Sequence, residues 1–216
     1  MGLFDRKTKR THALQEYADR NGHAFQWKDE FGLVKYFGDL KLFQRGHSRR
    51  ARNIRRMAKD QYGEYGHFDY SYVISTGNSH QVFRQTVYYR IDKSLLLPQF
   101  HMFPERWYHQ VGKWFGMQDI NFMAYPKFSK AYLLQGEQEG FVRDLFEDRS
   151  LIRHFKIHRN WSIEAVGYYF VMYHNRKLQR VPDLSKFVRT GNTLHRLLTE
   201  RSAALQTRSQ DFNLSE

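Results

Sequence analysis

Between residues 67 and 91 the chain changes character at every second position. Phe68, Tyr70, Tyr72 and Ile74 alternate with His67, Asp69, Ser71 and Val73. That period of two belongs to a strand with one face buried. STGNSH at 75–80 is turn chemistry, and HQVFRQTVYYRI at 80–91 alternates again, with Phe83, Val87, Tyr89 and Ile91 among its apolar positions. Two alternating runs around a polar turn predict an antiparallel hairpin, and the rest of the chain must fold around it.

The flanking segments predict a mixed architecture. HALQEYADRN at 12–21 reads as a helix, with Ala13, Leu14, Tyr17 and Ala18 on one face and Gly22 as its stop. AFQW at 24–27, GLVKYF at 32–37 and LKLF at 40–43 read as short strands. LLLPQFHMFPE at 95–105 is extended, and Pro104 opens a helix over 105–115. YLL at 132–134 is a strand, 137–147 a helix, and 150–158 a helix capped by Asp148 or Ser150. SIEAVGYYFVMYHN gives two strands bent at Gly167, and a final helix covers about 183–204. The class is α+β, with mainly antiparallel hairpins, flanking helices and a C-terminal helix. The domain reading is a helix-plus-sheet region over 1–117, an α+β unit packed on it over 118–205, and a disordered tail over 206–216.

Charge supplies the functional lead. The chain carries 35 Lys plus Arg against 22 Asp plus Glu, a net charge of +13. Residues 1–60 hold 15 basic and 7 acidic side chains, residues 61–140 hold 7 and 7, and residues 141–216 hold 13 and 8. The excess concentrates in RGHSRRARNIRRMAK at 45–59, which has seven Lys or Arg, one His and no carboxylate. Such a run suggests an anionic partner: an acidic membrane surface, an acidic protein or nucleic acid. The candidate anion-binding residues are Arg45, His47, Arg49, Arg50, Arg52, Arg55, Arg56 and Lys59. As a helix the segment has a thin stripe of Ala51, Ile54 and Ala58. As a strand it puts arginines on both faces, which suits an exposed edge, and the neighbouring hairpin's need for a partner favours the strand.

Cysteine is absent, which excludes disulfides, thiolate metal sites and cysteine nucleophiles. MGLFDRKTKR is too charged for a signal peptide, Arg6 disfavours myristoylation of Gly2, and no apolar run reaches the roughly 20 residues of a membrane span. A cytoplasmic protein, peripheral to the membrane if it meets one, is the expectation.

Several phrases, ALQEYADRNGHAF, LFQRGHSRRARNI, GHFDYSY, LLLPQFHMFPE, GMQDINF and FSKAYLLQGEQEGFVRDLF, stand in order over about residues 13–146. In these the chain resembles a family of uncharacterised bacterial proteins, a domain of unknown function. In that family a similar module is often preceded by membrane helices. This sequence opens almost directly at ALQEYADRNG, so a membrane tether is not expected to carry over, and the family implies no reaction, ligand or catalytic residue.

Other clusters have weaker chemistry. His154 and His158 stand four apart on a predicted helix, but no Glu lies in an HExxH arrangement, so they read as surface histidines rather than metal ligands. Pro104 interrupts the periodicity of His101, Glu105 and His109. Asp69 with His67 is the one pairing that suggests acid–base work of a hydrolase type, against the plainer reading of a cross-strand contact. P-loop, GxGxxG and GxSxG patterns are missing. No catalytic residue, metal or cofactor is therefore assigned. The expectation is a non-enzymatic binding or scaffold protein with a basic face, with nucleic-acid binding and an Asp69/His67 hydrolase as alternatives.

Overall fold

The computed structural model describes residues 8–60, 63–107 and 119–213. It is built on one eight-stranded sheet, antiparallel at every pairing. The strands are β1 (Ala24–Lys28), β2 (His47–Asp60), β3 (Gly63–Thr76), β4 (Ser79–Asp92), β5 (Leu97–Pro104), β6 (Tyr132–Gly136), β7 (Ser162–Gly167) and β8 (Tyr169–Tyr173). Their spatial order is β1-β2-β3-β4-β8-β7-β5-β6. The α+β class with antiparallel hairpins and a C-terminal helix is what the sequence predicts. The two segments on either side of residue 117 share this single sheet, because β8 pairs with β4 and β7 with β5.

The predicted hairpin is β3–β4, with every residue from Gly63 to Thr76 in register with one from Asp92 to Ser79. Gly77 takes φ +55° in the two-residue turn between them. The basic segment is strand β2. Its pairing with β3 slips between His47 and Arg50 and again between Arg52 and Arg55, where Ser48 and Asn53 adopt positive φ. These bulges redirect individual side chains along the strand.

The two sheet faces have separate cores. Tyr88, Phe100, Met102, Ile163, Phe170 and Met172 point to one face, here called the helical face. It is covered by α1 (Lys9–Arg20), α4 (Pro126–Ser129), α5 (Glu139–Phe146), α6 (Arg149–Ile157) and α7 (Leu184–Asn213). Phe68, Tyr70, Tyr89, Val171 and Tyr173 point to the other. Two single-turn helices cover that side, α2 (Leu33–Tyr36) and α3 (Lys41–Gln44).

These two turns correct the sequence reading, which made 32–37 and 40–43 strands. The Asp29 carboxylate accepts the Leu33 N–H at 2.9 Å and the Val34 N–H at 3.2 Å, satisfying donors at the start of α2. Leu33 and Phe37, four apart, then face the sheet together with Leu40 and Phe43, three apart. At the other end of the chain α7 continues to Asn213, past the predicted tail boundary at Gln206. Of the predicted 105–115 helix, a single 3-10 turn over Glu105–Trp107 is seen, and the rest lies outside the described residues.

Elsewhere local chemistry and observed structure agree. Thr8 caps α1 in a reciprocal arrangement with Thr11, Asp148 caps α6 by accepting from Ser150 and Leu151, and Gly167 turns β7 into β8 at φ +58°. Gly191 lets α7 sit directly on the sheet, since a Cβ there would fall 2.7 Å from three atoms of the fully buried Tyr88 ring. Gly191→Ala should therefore destabilise by about 1–3 kcal/mol through overpacking. This holds despite the roughly 1 kcal/mol that alanine gains over glycine in a helix interior. Urea unfolding checks it, and a more stable variant would contradict this account of the α7–Tyr88 contact.

Candidate functional site

Register decides which cations of β2 share a surface, because residues directly opposite on neighbouring antiparallel strands point to the same face. On the helical face four rungs run along β1–β4. The innermost is Phe25, Arg55, His67 and Tyr88, and the next is Lys28, Arg52, Asp69 and Thr86. Then come Arg50, Ser71 and Arg84, and outermost His47, Val73 and Val82. The two inner rungs lie under α1. The two outer rungs extend beyond it, with Arg50, Arg84, His47 and Val82 exposed and Ser71 and Val73 half-buried.

The innermost rung is part of the core. Arg55 is 3% exposed and His67 is 1% exposed. The Arg55 guanidinium donates to His23 Nδ1 at 2.7 Å, lies 3.4 Å from His67 Nε2, and stacks 4.3 Å over the Tyr17 ring of α1. Burial and the neighbouring Arg55, Arg10 and His23 push the His67 imidazole down to about 3, so it is neutral. Burial likewise pulls Arg55 below the usual guanidinium range.

On the second rung Asp69 is saturated. Arg10 grips it with two bonds, Nε to Oδ2 at 2.7 Å and Nη2 to Oδ1 at 2.8 Å. Asn53 Nδ2 adds a bond to Oδ2 at 2.9 Å, and the Thr86 hydroxyl one to Oδ1 at 2.9 Å. The same guanidinium donates to the Gln179 carbonyl at 2.8 Å, and the Gln179 N–H donates to the Thr86 hydroxyl at 2.9 Å. Asp69 and His67 thus face the same way on β3 but are held by different arginines.

The remaining members of the basic run scatter. Arg45 is half-buried beneath the opposite face, its guanidinium 5.0 Å over the Phe103 ring. Burial there would lower its pKa, but Tyr173, Glu164 and Tyr72 outweigh it and the net direction is up. Arg49 folds back on its own loop, donating to the carbonyls of Gln44, Arg45 and Gly46. Arg56 stacks 4.4 Å over Phe31 and lies 3.8 Å from Glu64, again on the opposite face. The Lys59 side chain, and Arg6 and Lys7 near the N-terminus, lie outside the described residues. Of the eight candidate residues, only His47, Arg50 and Arg52 share the helical face towards the tip of the sheet. Arg84, from the hairpin and absent from the predicted set, joins them. Its alternation with Phe83 in VFRQTV was the available signal.

The other histidine clusters are structural. His154, expected at the surface, is 6% exposed, packs against Phe155 and His158, and is lowered to about 4 by burial and by His158. His101 is buried and bonded to Gln135 at 2.8 Å, and its proposed companion His109 lies outside the described residues. No group of three His, Cys, Asp or Glu suited to a metal occurs among the described residues. A pair that sequence reading did not single out joins α7 to the sheet. His195 Nε2 lies 2.7 Å from Asp92 Oδ2, and Asp92 also accepts from Arg90 and from Ser94. The partners are 103 residues apart, which leaves no local signature.

No family model matches the chain, and no curated protein matches it in sequence. Among solved structures it is similar to the crystal structure of the mycobacterial trehalose monomycolate transport factor A. The TM-score is 0.61 at 9% identity, over 87% of this chain and 93% of that one. At that identity the likeness is one of fold.

Two stability effects follow. Arg10→Ala strands a largely buried carboxylate (Asp69 side chain 12% exposed) and should cost about 3 kcal/mol. Adding Asp69→Asn should recover part of the loss, and strict additivity in a double-mutant cycle would show that the pair is not coupled. The buried histidines make the fold acid-labile. An unfolded imidazole titrates near 6.5, whereas His67 and His154 titrate in the fold at about 3 and about 4. As pH falls from 6.5 towards 4 the unfolded chain takes up protons that the folded one refuses. Stability should therefore drop by up to about 1.4 kcal/mol per pH unit per histidine and be level above pH 7. Urea midpoints across that range, with a shallower slope expected for His67→Gln, test the assignment.

Proposed function

We propose that this chain is a non-enzymatic docking module that uses the uncovered tip of its sheet to bind an acidic partner at the cytoplasmic side, as a peripheral component of a membrane-associated process. The observation that supports this most directly is the third rung, where Arg50 and Arg84 are exposed and no carboxylate engages either among the described residues. Asp69, the one carboxylate on these four rungs, is already bonded to Arg10. Positive potential gathered on one face attracts anionic surfaces.

An acidic membrane surface fits better than a nucleic acid. Binding of single strands draws on rings that stack with bases. The large exposed aromatics among the described residues are Phe31, Tyr36 and Tyr168. These lie near Arg56 and the β7–β8 turn, at the opposite end of the sheet from Arg50. The tip instead offers Val82, 46% exposed, beside its arginines. The transport-factor description of the mycobacterial protein of like fold suits an accessory role at a membrane. No helix among the described residues is long and apolar enough to cross one.

Sedimentation with vesicles tests the proposal. The protein should pellet with anionic but not neutral phosphatidylcholine vesicles, less so as salt is raised. Arg50→Glu with Arg84→Glu should abolish the difference while leaving the melting temperature nearly unchanged. Equal pelleting with both vesicle types, or an unaltered difference in the double variant, overturns it.

A further inference from the structure

The third rung has more structure than a patch of charge. Arg50, Ser71 and Arg84 stand directly opposite one another on three adjacent strands. The outer two strands are therefore separated by about 9–10 Å, twice the spacing of neighbouring strands. Two long side chains rooted at that separation can lean inward over the short one between them. Each guanidinium presents a planar fork of donors, and the Ser71 hydroxyl supplies one more from below. Neither arginine is diverted to a carboxylate among the described residues, and both are exposed.

We infer that Arg50, Ser71 and Arg84 form a clamp for the terminal phosphate of a phosphomonoester lipid headgroup at a bilayer surface. This rests on the docking reading above and narrows it to one ligand chemistry. A terminal phosphate exposes three oxygens on one centre, which matches donors converging from two sides and from beneath. A phosphodiester headgroup has two such oxygens and a single negative charge, and so meets the same donors with fewer acceptor positions and less charge. Fork-shaped donors recognise phosphate with a geometry that a point charge does not reproduce.

The surroundings favour a lipid source over a small soluble phosphate. Val82 and Val73 occupy the next rung outward on the same face, placing an apolar strip beside the clamp where a bilayer surface could receive it. His47, on that same rung, and His80, opposite Ser75 at the hairpin end, both meet the Ser75 hydroxyl, at 2.8 Å and 2.7 Å. This hydroxyl bridge braces the end of β2 against the hairpin. On the inner side, the Arg10 grip on Asp69 withholds the negative charge that would oppose a phosphate two residues along β3.

The test compares vesicles containing phosphatidic acid with vesicles containing phosphatidylglycerol, brought to equal surface charge. The full chain should partition more strongly onto the phosphatidic acid vesicles. Arg50→Ala and Arg84→Ala should each lower that partition by about tenfold, the equivalent of one lost charge-assisted bond. Ser71→Ala and Arg50→Lys should reduce the preference for phosphatidic acid while largely keeping the phosphatidylglycerol binding. Equal binding to the two anionic lipids, with both reduced alike by the arginine variants, overturns the clamp and leaves the docking surface standing. Failure to distinguish either anionic vesicle from phosphatidylcholine overturns both.

Discussion

The bidentate pair between Arg10 and Asp69 is the contact on which the rest of the arrangement depends. A carboxylate on a half-buried strand face costs several kcal/mol unless its charge and its lone pairs are met. Here one guanidinium meets both oxygens and reaches on to the Gln179 carbonyl, while Asn53 and Thr86 complete the shell. The bonds to Asp69 come from α1, from the bulge of β2 and from β4, so a single side chain of β3 holds three separate stretches of chain, and Arg10 and Thr86 tie the loop after β8 to the same cluster through Gln179. Asn53 reaches Asp69 from a positive-φ position, where Asn is better tolerated than most residues. The bulge is thus a means of aiming an amide at a carboxylate. The pair also decides the sign of the surface beyond it, because it withdraws the one carboxylate on rungs otherwise occupied by cations and neutral groups.

A mismatch of lengths creates that surface. β2, β3 and β4 each have 14 residues, about 46 Å at 3.3 Å per residue. α1 has 12 residues, about 18 Å. α7 is longer but heads the other way, meeting Tyr88 at Gly191 and Asn192, Asp92 at His195 and Leu96 at Ser202. Among the described residues the helical face is therefore closed where Tyr88 and Arg55 lie and open where Arg50 and Arg84 lie. β8 stops at Tyr173, opposite Val87, so the hairpin continues with β2 as its strand partner. Exposed edges of this kind invite pairing with other chains unless charge or bulges discourage it, and β2 has both. The same arginines can serve solubility and binding, which is why the vesicle and salt responses, rather than exposure, decide between them.

The period of two over 67–91 was enough to find the central hairpin, because nothing competes with it. Alternation with a Gly-Asn turn has one low-energy reading. GLVKYF and LKLF were ambiguous because short apolar runs satisfy either period. The deciding contact, Asp29 capping Leu33 and Val34, is a side-chain to backbone bond that propensity alone does not reveal. The strand character of 47–60 followed from the neighbour's need for a partner rather than from its own composition. The burial of Arg55 could not be anticipated, since His23, Tyr17 and His67 converge on it from three elements. His154 misled for a simpler reason: spacing to His158 says nothing about which side of the helix is covered, and His154 packs inward beside Phe155 while Ile157 is the exposed one.

Charge counted along the sequence and charge assembled in space are different quantities here. The run from 45 to 59 has seven cationic side chains, yet the fold sends Arg45 and Arg56 to one face, buries Arg55 in the other, and returns Arg49 to carbonyls of its own loop. What reaches solvent as a cationic row draws on a neighbour 34 positions further on, Arg84, brought beside Arg50 by two register steps through Ser71. Such a row depends on pairing alone. A one-residue slip in either pairing would send its members to opposite faces, whereas exchanging Arg49 for a neutral residue would leave the row intact. The mycobacterial protein of like fold shows that the layering survives at 9% identity. Layering does not carry binding chemistry with it, so the function of each chain on this fold has to be sought in what its own rungs present.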